Sequence, residues 1–158
     1  MKTSVLSARS PSQAQAACEQ AAALLGRGAV ISFPTDTFYA LGANATDEKA
    51  IAKIYRLKGR QTRRPILILV HDTKEAERWV QEISPVARRL MQSFWPGPLT
   101  LVFGAAPCLP MELTGGTATV GVRVPGHWLA REIARLAKVP ITGTSANPSG
   151  SRAAASAE

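Results

Sequence analysis

The chain has 158 residues, 46% of them apolar and 19% charged, with 19 Lys and Arg against 11 Asp and Glu and a formal net charge of +8. That length supports one domain with its own core, no apolar run reaches the roughly 20 residues that cross a bilayer, and the N-terminal "MKTSVLSARSPSQAQ" lacks a secretory apolar stretch. These features point away from a membrane or disulfide-stapled protein and toward the cytoplasm, with Cys18 and Cys108 as free thiols and an anionic partner such as a nucleotide, pyrophosphate or RNA.

In chain order, Ser10 as N-cap, Pro11 at the first helical position and glycines at 26 and 28 predict a helix over 11–26. "AVISF" is a β-branched strand stopped by Pro34, "PTDT" is a turn, and "FYALGANA" is extended with Gly42 as punctuation. "TDEKAIAKIYRLKGR" predicts a helix capped by Thr46 or Asp47, with Ala50, Ile51, Ile54, Tyr55 and Leu57 at helical spacing and a basic last turn. "PILILV" is an apolar strand of the kind buried on both faces. "TKEAERWV" and "SPVARRLMQSFW" are predicted helices, the second opening on Ser84 and Pro85. "LTLVFG" and "TVGVRVP" are strands, "HWLAREIARLA" is an amphipathic helix, and "VPITGTS" is a final strand. This alternation predicts an α/β fold, a single domain over 1–158 in which helices cover a mixed sheet, with a frayed tail at 151–158.

Four stretches could carry chemistry, and each also has an ordinary structural reading. "YRLKGRQTRRP" packs Arg56, Lys58, Arg60, Arg63 and Arg64 around Gly59, either to complement a helix C-terminus or to turn Lys58 and Arg60 toward one oxyanion. "FPTDTFYALG" sits at a strand end, where α/β proteins bind ligands and where turns also need Thr and Asp. "WPGPLTLVF" brackets a glycine with prolines; Trp95 reads as a core or cap residue, whereas the Thr100 hydroxyl could face a ligand. "TGTSANPSG" offers short donors and acceptors after a strand, suited to phosphate oxygens or a ribose, or simply to a polar turn. No glycine-rich phosphate loop, dinucleotide fingerprint or nucleophile elbow is present. His71 and His127 are read as lacking close acidic partners, so neither a histidine base nor a zinc site is expected.

Taken together, "VISFPTDTFYALGANA", "IYRLKGR", "RPILILV", "FWPGPLTLV", "VGVRVPGH" and "PITGTSANPSG" resemble the YrdC-like family, the threonylcarbamoyl-adenylate synthases, over residues 15–150. The resemblance implies a twisted sheet with a basic concave cavity. It also implies a nucleotidyltransferase that joins L-threonine, bicarbonate and ATP into L-threonylcarbamoyl-adenylate and pyrophosphate, the first step of threonylcarbamoyl-adenosine (t6A) modification of tRNA. By the same resemblance Lys58, Arg60, Thr100, Ser145 and Asn147 would bind ATP, and Thr35, Arg123 and Thr144 would bind threonine. Arg123 suits a carboxylate because a guanidinium binds one bidentately. No nucleophile or general base is assigned. Mg²⁺ is expected with ATP and pyrophosphate but without a site on the protein, and downstream tRNA-modifying proteins are implied partners. The resemblance also implies that members continue several tens of residues beyond the Ser-x-Asn triplet, so the C-terminal segment usual in the family is expected to be missing here. Two alternatives stand beside this reading: a non-catalytic module gripping structured RNA through the same basic cavity, and a carbamoyl-adenylate chemistry like that of hydrogenase maturation proteins.

Overall fold

A computed structural model describes residues 3–59 and 64–156. Among these residues six helices and six strands alternate: α1 (Pro11–Gly26), β1 (Ile31–Phe33), β2 (Ala40–Gly42), α2 (Glu48–Lys58), β3 (Leu67–Leu69), α3 (Thr73–Ala76), α4 (Pro85–Phe94), β4 (Leu101–Gly104), α5 (Met111–Thr114), β5 (Thr119–Arg123), α6 (Trp128–Ala137) and β6 (Ile141–Ser145). The caps act as the side chains dictate. Ser10 Oγ accepts from Gln13 N at 3.3 Å, Asp47 Oδ1 from Lys49 N at 2.9 Å, and Ser84 Oγ from Ala87 N at 3.2 Å, each filling an orphan donor of a first turn.

The strands form one sheet in the order β1-β2-β6-β3-β5-β4, antiparallel except for the β3–β5 pair. The last strand in sequence is thus inserted in the middle, with Leu41 opposite Thr144 on one side and Leu67 opposite Gly143 on the other. Strand alternation sorts side chains to two faces. On one, Ile66, Ile68, Val70, Val120 and Val122 pack with Ile51, Ile54, Met91 and Leu113 from α2, α4 and α5. On the other, Phe33, Ala40, Leu69 and Ile141 pack under Cys18, Leu25, Ile133 and Ala134 from α1 and α6.

Two departures from the sequence reading have local causes. "TKEAERWV" is not one helix: α3 runs for a single turn capped by Asp72, a 3₁₀ turn spans Glu77–Trp79, and Val80 becomes extended. There it bridges Ala105 while Gln81 N donates to the Gly104 carbonyl, so edge pairing outcompetes helix propagation. α5 has no counterpart in the sequence reading because one turn, between Pro110 and the left-handed Gly115, is too short to show a period. At the other end of the chain, the Ala154 carbonyl accepts from Tyr39 N at 2.9 Å, docking the tail on the β1–β2 connection.

Candidate functional site

The helices α1 and α6 cover only part of their side of the sheet. Toward β4 and β5 the same face carries Leu67, Gly143, Gly121 and Thr100, which are half-buried, and Val102, which is 69% exposed. The two glycines keep this face low. A Cβ on Gly143 would lie 2.7 Å from Leu67 Cδ1, and one on Gly121 would lie 3.1 Å from Leu67 Cβ and 3.2 Å from Thr100 Cγ2.

At one end of this face stands the Lys58 cluster. α2 ends at Gly59 in the left-handed conformation (φ 56°), and Lys58, only 4% exposed, turns its ammonium onto the segment after β6. Nζ donates to Ser145 O at 2.5 Å, Asn147 O at 2.8 Å and Asn147 Oδ1 at 3.1 Å. Ser145 Oγ donates to the same Oδ1, Asn147 Nδ2 donates to Ser151 O, and Ser149 N returns to Lys58 O at 2.8 Å. Segments 87 residues apart are thereby clipped together, with charge, hydroxyl and carboxamide in one cluster. Arg60, the other half of the cationic pair, lies outside the described residues.

The other end holds Arg123. Gly143 faces Leu67 while Arg123 faces Leu69, so Ser145 and Arg123 stand four residues apart along the strands, roughly 13 Å at about 3.3 Å per residue. Arg123 is 7% exposed; Nε donates to the Gly97 carbonyl at 3.0 Å and Nη2 donates to Asp36 Oδ1. Asp36 sits on the connection between β1 and β2, whereas Arg123 is on β5, with β6 and β3 between them in the sheet. The "PTDT" turn therefore straps over two strands. Thr35 stabilises that turn from within, its Oγ1 donating to Phe38 O at 2.7 Å and accepting from Thr37 N and Phe38 N.

The structure thus gathers Lys58, Ser145 and Asn147, places Thr100 farther along the same face, and brings Thr35 to Arg123 through Asp36. Thr144 does not join them, because alternation along β6 turns its side chain to the opposite face, that of Thr142. Asp36 and the Gly97 carbonyl are the partners sequence reasoning misses. Both lie within quoted motifs, but nothing local announces a contact with a residue 87 positions away.

The remaining expectations resolve simply. Trp95 is buried at a helix end, its Nε1 donating to Leu99 O at 2.7 Å. Cys18 is buried and Cys108 exposed, both free; burial, with Glu132 and Glu19 adding, pushes the Cys18 thiol up to about 11. The expectation that His71 lacks an acidic partner is wrong: Nε2 lies 3.2 Å from Asp72 Oδ2, and Nδ1 meets Glu75 Oε2, which also accepts from His71 N at 3.0 Å. Among the described residues no group of three or more His, Cys, Asp or Glu gathers to hold a metal, and no helix is long and apolar enough to cross a membrane. Two shallow surface cavities, of about 440 and 420 Å³, lie elsewhere, one lined by residues including Arg9 and Trp128, the other by residues including Gln81 and Phe103 and sharing only Val102 with this face.

Comparison with known proteins identifies the family. A family model for the Sua5, YciO and YrdC proteins, described as telomere recombination, matches residues 23–158. The threonylcarbamoyl-AMP synthase of Pyrococcus abyssi is 42% identical over 82% of this chain and 38% of its own length, and that of Bacillus subtilis 41% over 88% and 40%. The crystal structure of P. abyssi Sua5 complexed with L-threonine superposes with a TM-score of 0.88 at 40% identity, covering 90% of this chain and 42% of that one. The chain spans about two fifths of the length of these relatives. With most of its residues inside the family match and its sheet superposing on a solved member, the chain belongs to the Sua5/YciO/YrdC family.

Proposed function

We propose that the chain forms L-threonylcarbamoyl-adenylate and pyrophosphate from L-threonine, bicarbonate and ATP, the first step of threonylcarbamoyl-adenosine formation on tRNA, in the cytoplasm. The observation that carries this reading is the pair of polar clusters, Lys58–Ser145–Asn147 and Arg123–Asp36–Thr35, at opposite ends of one low, uncovered sheet face. Their roughly 13 Å separation along the strands suits a nucleotide and an amino acid bound end to end. The names of the relatives and the threonine in the P. abyssi structure support it.

In this reading Arg60, Thr100, Ser145 and Asn147 hold the nucleotide. Lys58 supplies positive charge beneath them and fixes Ser145 and Asn147 in place, because its ammonium is already turned onto their acceptors. Arg123 and Thr35 take the threonine. The neutral amine adds to carbon dioxide and gives up a proton to solvent, or bonds to the carbon of bicarbonate with loss of water, to give a carbamate; a carbamate oxygen then bonds to the α-phosphorus as the bond to the pyrophosphate oxygen breaks. The reactants contain both nucleophile and leaving group, so positioning and neutralisation of developing charge carry the rate. Mg²⁺ would travel on the phosphates, since among the described residues no acidic cluster offers it a site.

The test is pyrophosphate release by the purified chain, which must depend on both threonine and bicarbonate. ATP binding without threonine-dependent turnover refutes the reading, and Arg60→Ala is expected to weaken ATP binding by about 1.5–3 kcal/mol, the range for a charged hydrogen-bond partner. The net charge of +8 favours a grip on structured RNA as the competing reading. That outcome would show as affinity falling steeply with salt and no pyrophosphate.

A further inference from the structure

Resting on the proposed function, we infer that Asp36 is the specificity-determining residue of the amino-acid end of the site: it orients the Arg123 guanidinium through one carboxylate oxygen and recognises the ligand's amine with the other. Arg123 has five N–H donors. The Gly97 carbonyl and Asp36 Oδ1 take two of them, and among the described residues no acceptor takes the rest. Asp36 Oδ2, in turn, accepts from no donor among the described residues. It lies over Gly126, where an added Cβ would come within 3.2 Å of it. The pair therefore offers unclaimed guanidinium donors beside an unclaimed carboxylate oxygen, the complement of a zwitterion.

Charge counting makes the same point. Arg123 and Asp36 are 9% and 20% exposed at their side chains, and together they are neutral. A lone carboxylate arriving there meets Arg123 and Asp36 at once and gains little. An α-amino acid satisfies both, because its carboxylate pairs with the guanidinium while its ammonium pairs with Oδ2. The same contact places the amine, the atom that must bond to carbon, at a fixed position relative to the sheet face.

The experiment is calorimetric titration of the chain with L-threonine and with 3-hydroxybutanoate, which keeps the carboxylate and hydroxyl but lacks the amine. Wild type is expected to prefer threonine by about tenfold or more, the equivalent of one charged hydrogen bond. Asp36→Asn keeps the shape and an oxygen acceptor for Arg123, and melting curves check its fold. It should lose that preference by weakening threonine about tenfold while 3-hydroxybutanoate binds unchanged or more tightly. An equal fall for both ligands indicates a merely structural role and overturns the inference; so does a wild type without preference, a result that needs no variant. Threonine-selective binding without pyrophosphate release sinks the synthase reading and leaves the inference standing. Pyrophosphate release with an unaltered ligand ratio in Asp36→Asn sinks the inference alone.

Discussion

Replacing Lys58 by Met removes the ammonium that ties α2 to the segment after β6 while keeping most of the aliphatic stem. Three acceptors lose their donor, at 2.5, 2.8 and 3.1 Å. A hydrogen bond to a charged group contributes about 1.5–3 kcal/mol, and three sharing one donor atom do not sum. Ser145 and Asn147 are half-buried, so water reaches some of the vacated acceptors and limits the penalty. The net cost is therefore about 2–3 kcal/mol, and at about 2–4 °C per kcal/mol for a domain of this size the melting temperature falls by about 4–12 °C. Thermal unfolding followed by circular dichroism reads this directly, with Leu57→Ala as the control, since Leu57 is 54% exposed and makes no such clip. A Lys58→Met shift smaller than about 2 °C would refute the reasoning, because it would mean the ammonium does not hold these segments together.

Gly143→Ala sets a Cβ 2.7 Å from Leu67 Cδ1 and 2.8 Å from Leu69 Cγ; Leu67 can swing but Leu69 is buried, so a loss of about 1–3 kcal/mol is expected in urea unfolding. An unchanged midpoint would show that this face repacks freely. At pH 8 a thiol reagent should modify Cys108 quickly and Cys18 only after denaturation. Because the folded Cys18 thiol titrates near 11 against an ordinary 9.0, the unfolded chain loses that proton first, so stability falls as pH rises from 9 to about 11. A urea midpoint in which Cys18→Ala and the parent fall equally over that range would assign the loss to other groups.

The long elements are legible in the sequence because their signals are local. Ser10, Asp47 and Ser84 cap helices within three residues of themselves, and the apolar run at 66–70 needs only its own composition to declare a buried strand. The two stretches that meet at Lys58 and Asn147 are both legible as polar clusters, and family resemblance pairs them. What escapes is set by distant partners. Val80 leaves its helix to pair with Ala105, and Asp36 looks like turn punctuation until the sheet order carries it over to Arg123. The acids beside His71 stand in plain view at one and four positions, but their contact depends on where the turn of α3 begins.

The central place of β6 has a consequence for a chain made from its N-terminus onward. Without residues 141–145 the molecule holds two unjoined ribbons, β1 with β2 and β3 with β5 and β4, each presenting a bare rim to solvent. Such rims invite pairing with other chains. A ribosome must release the last of these five residues before the ribbons can be sewn into one surface, so until then the nascent chain cannot close its own sheet.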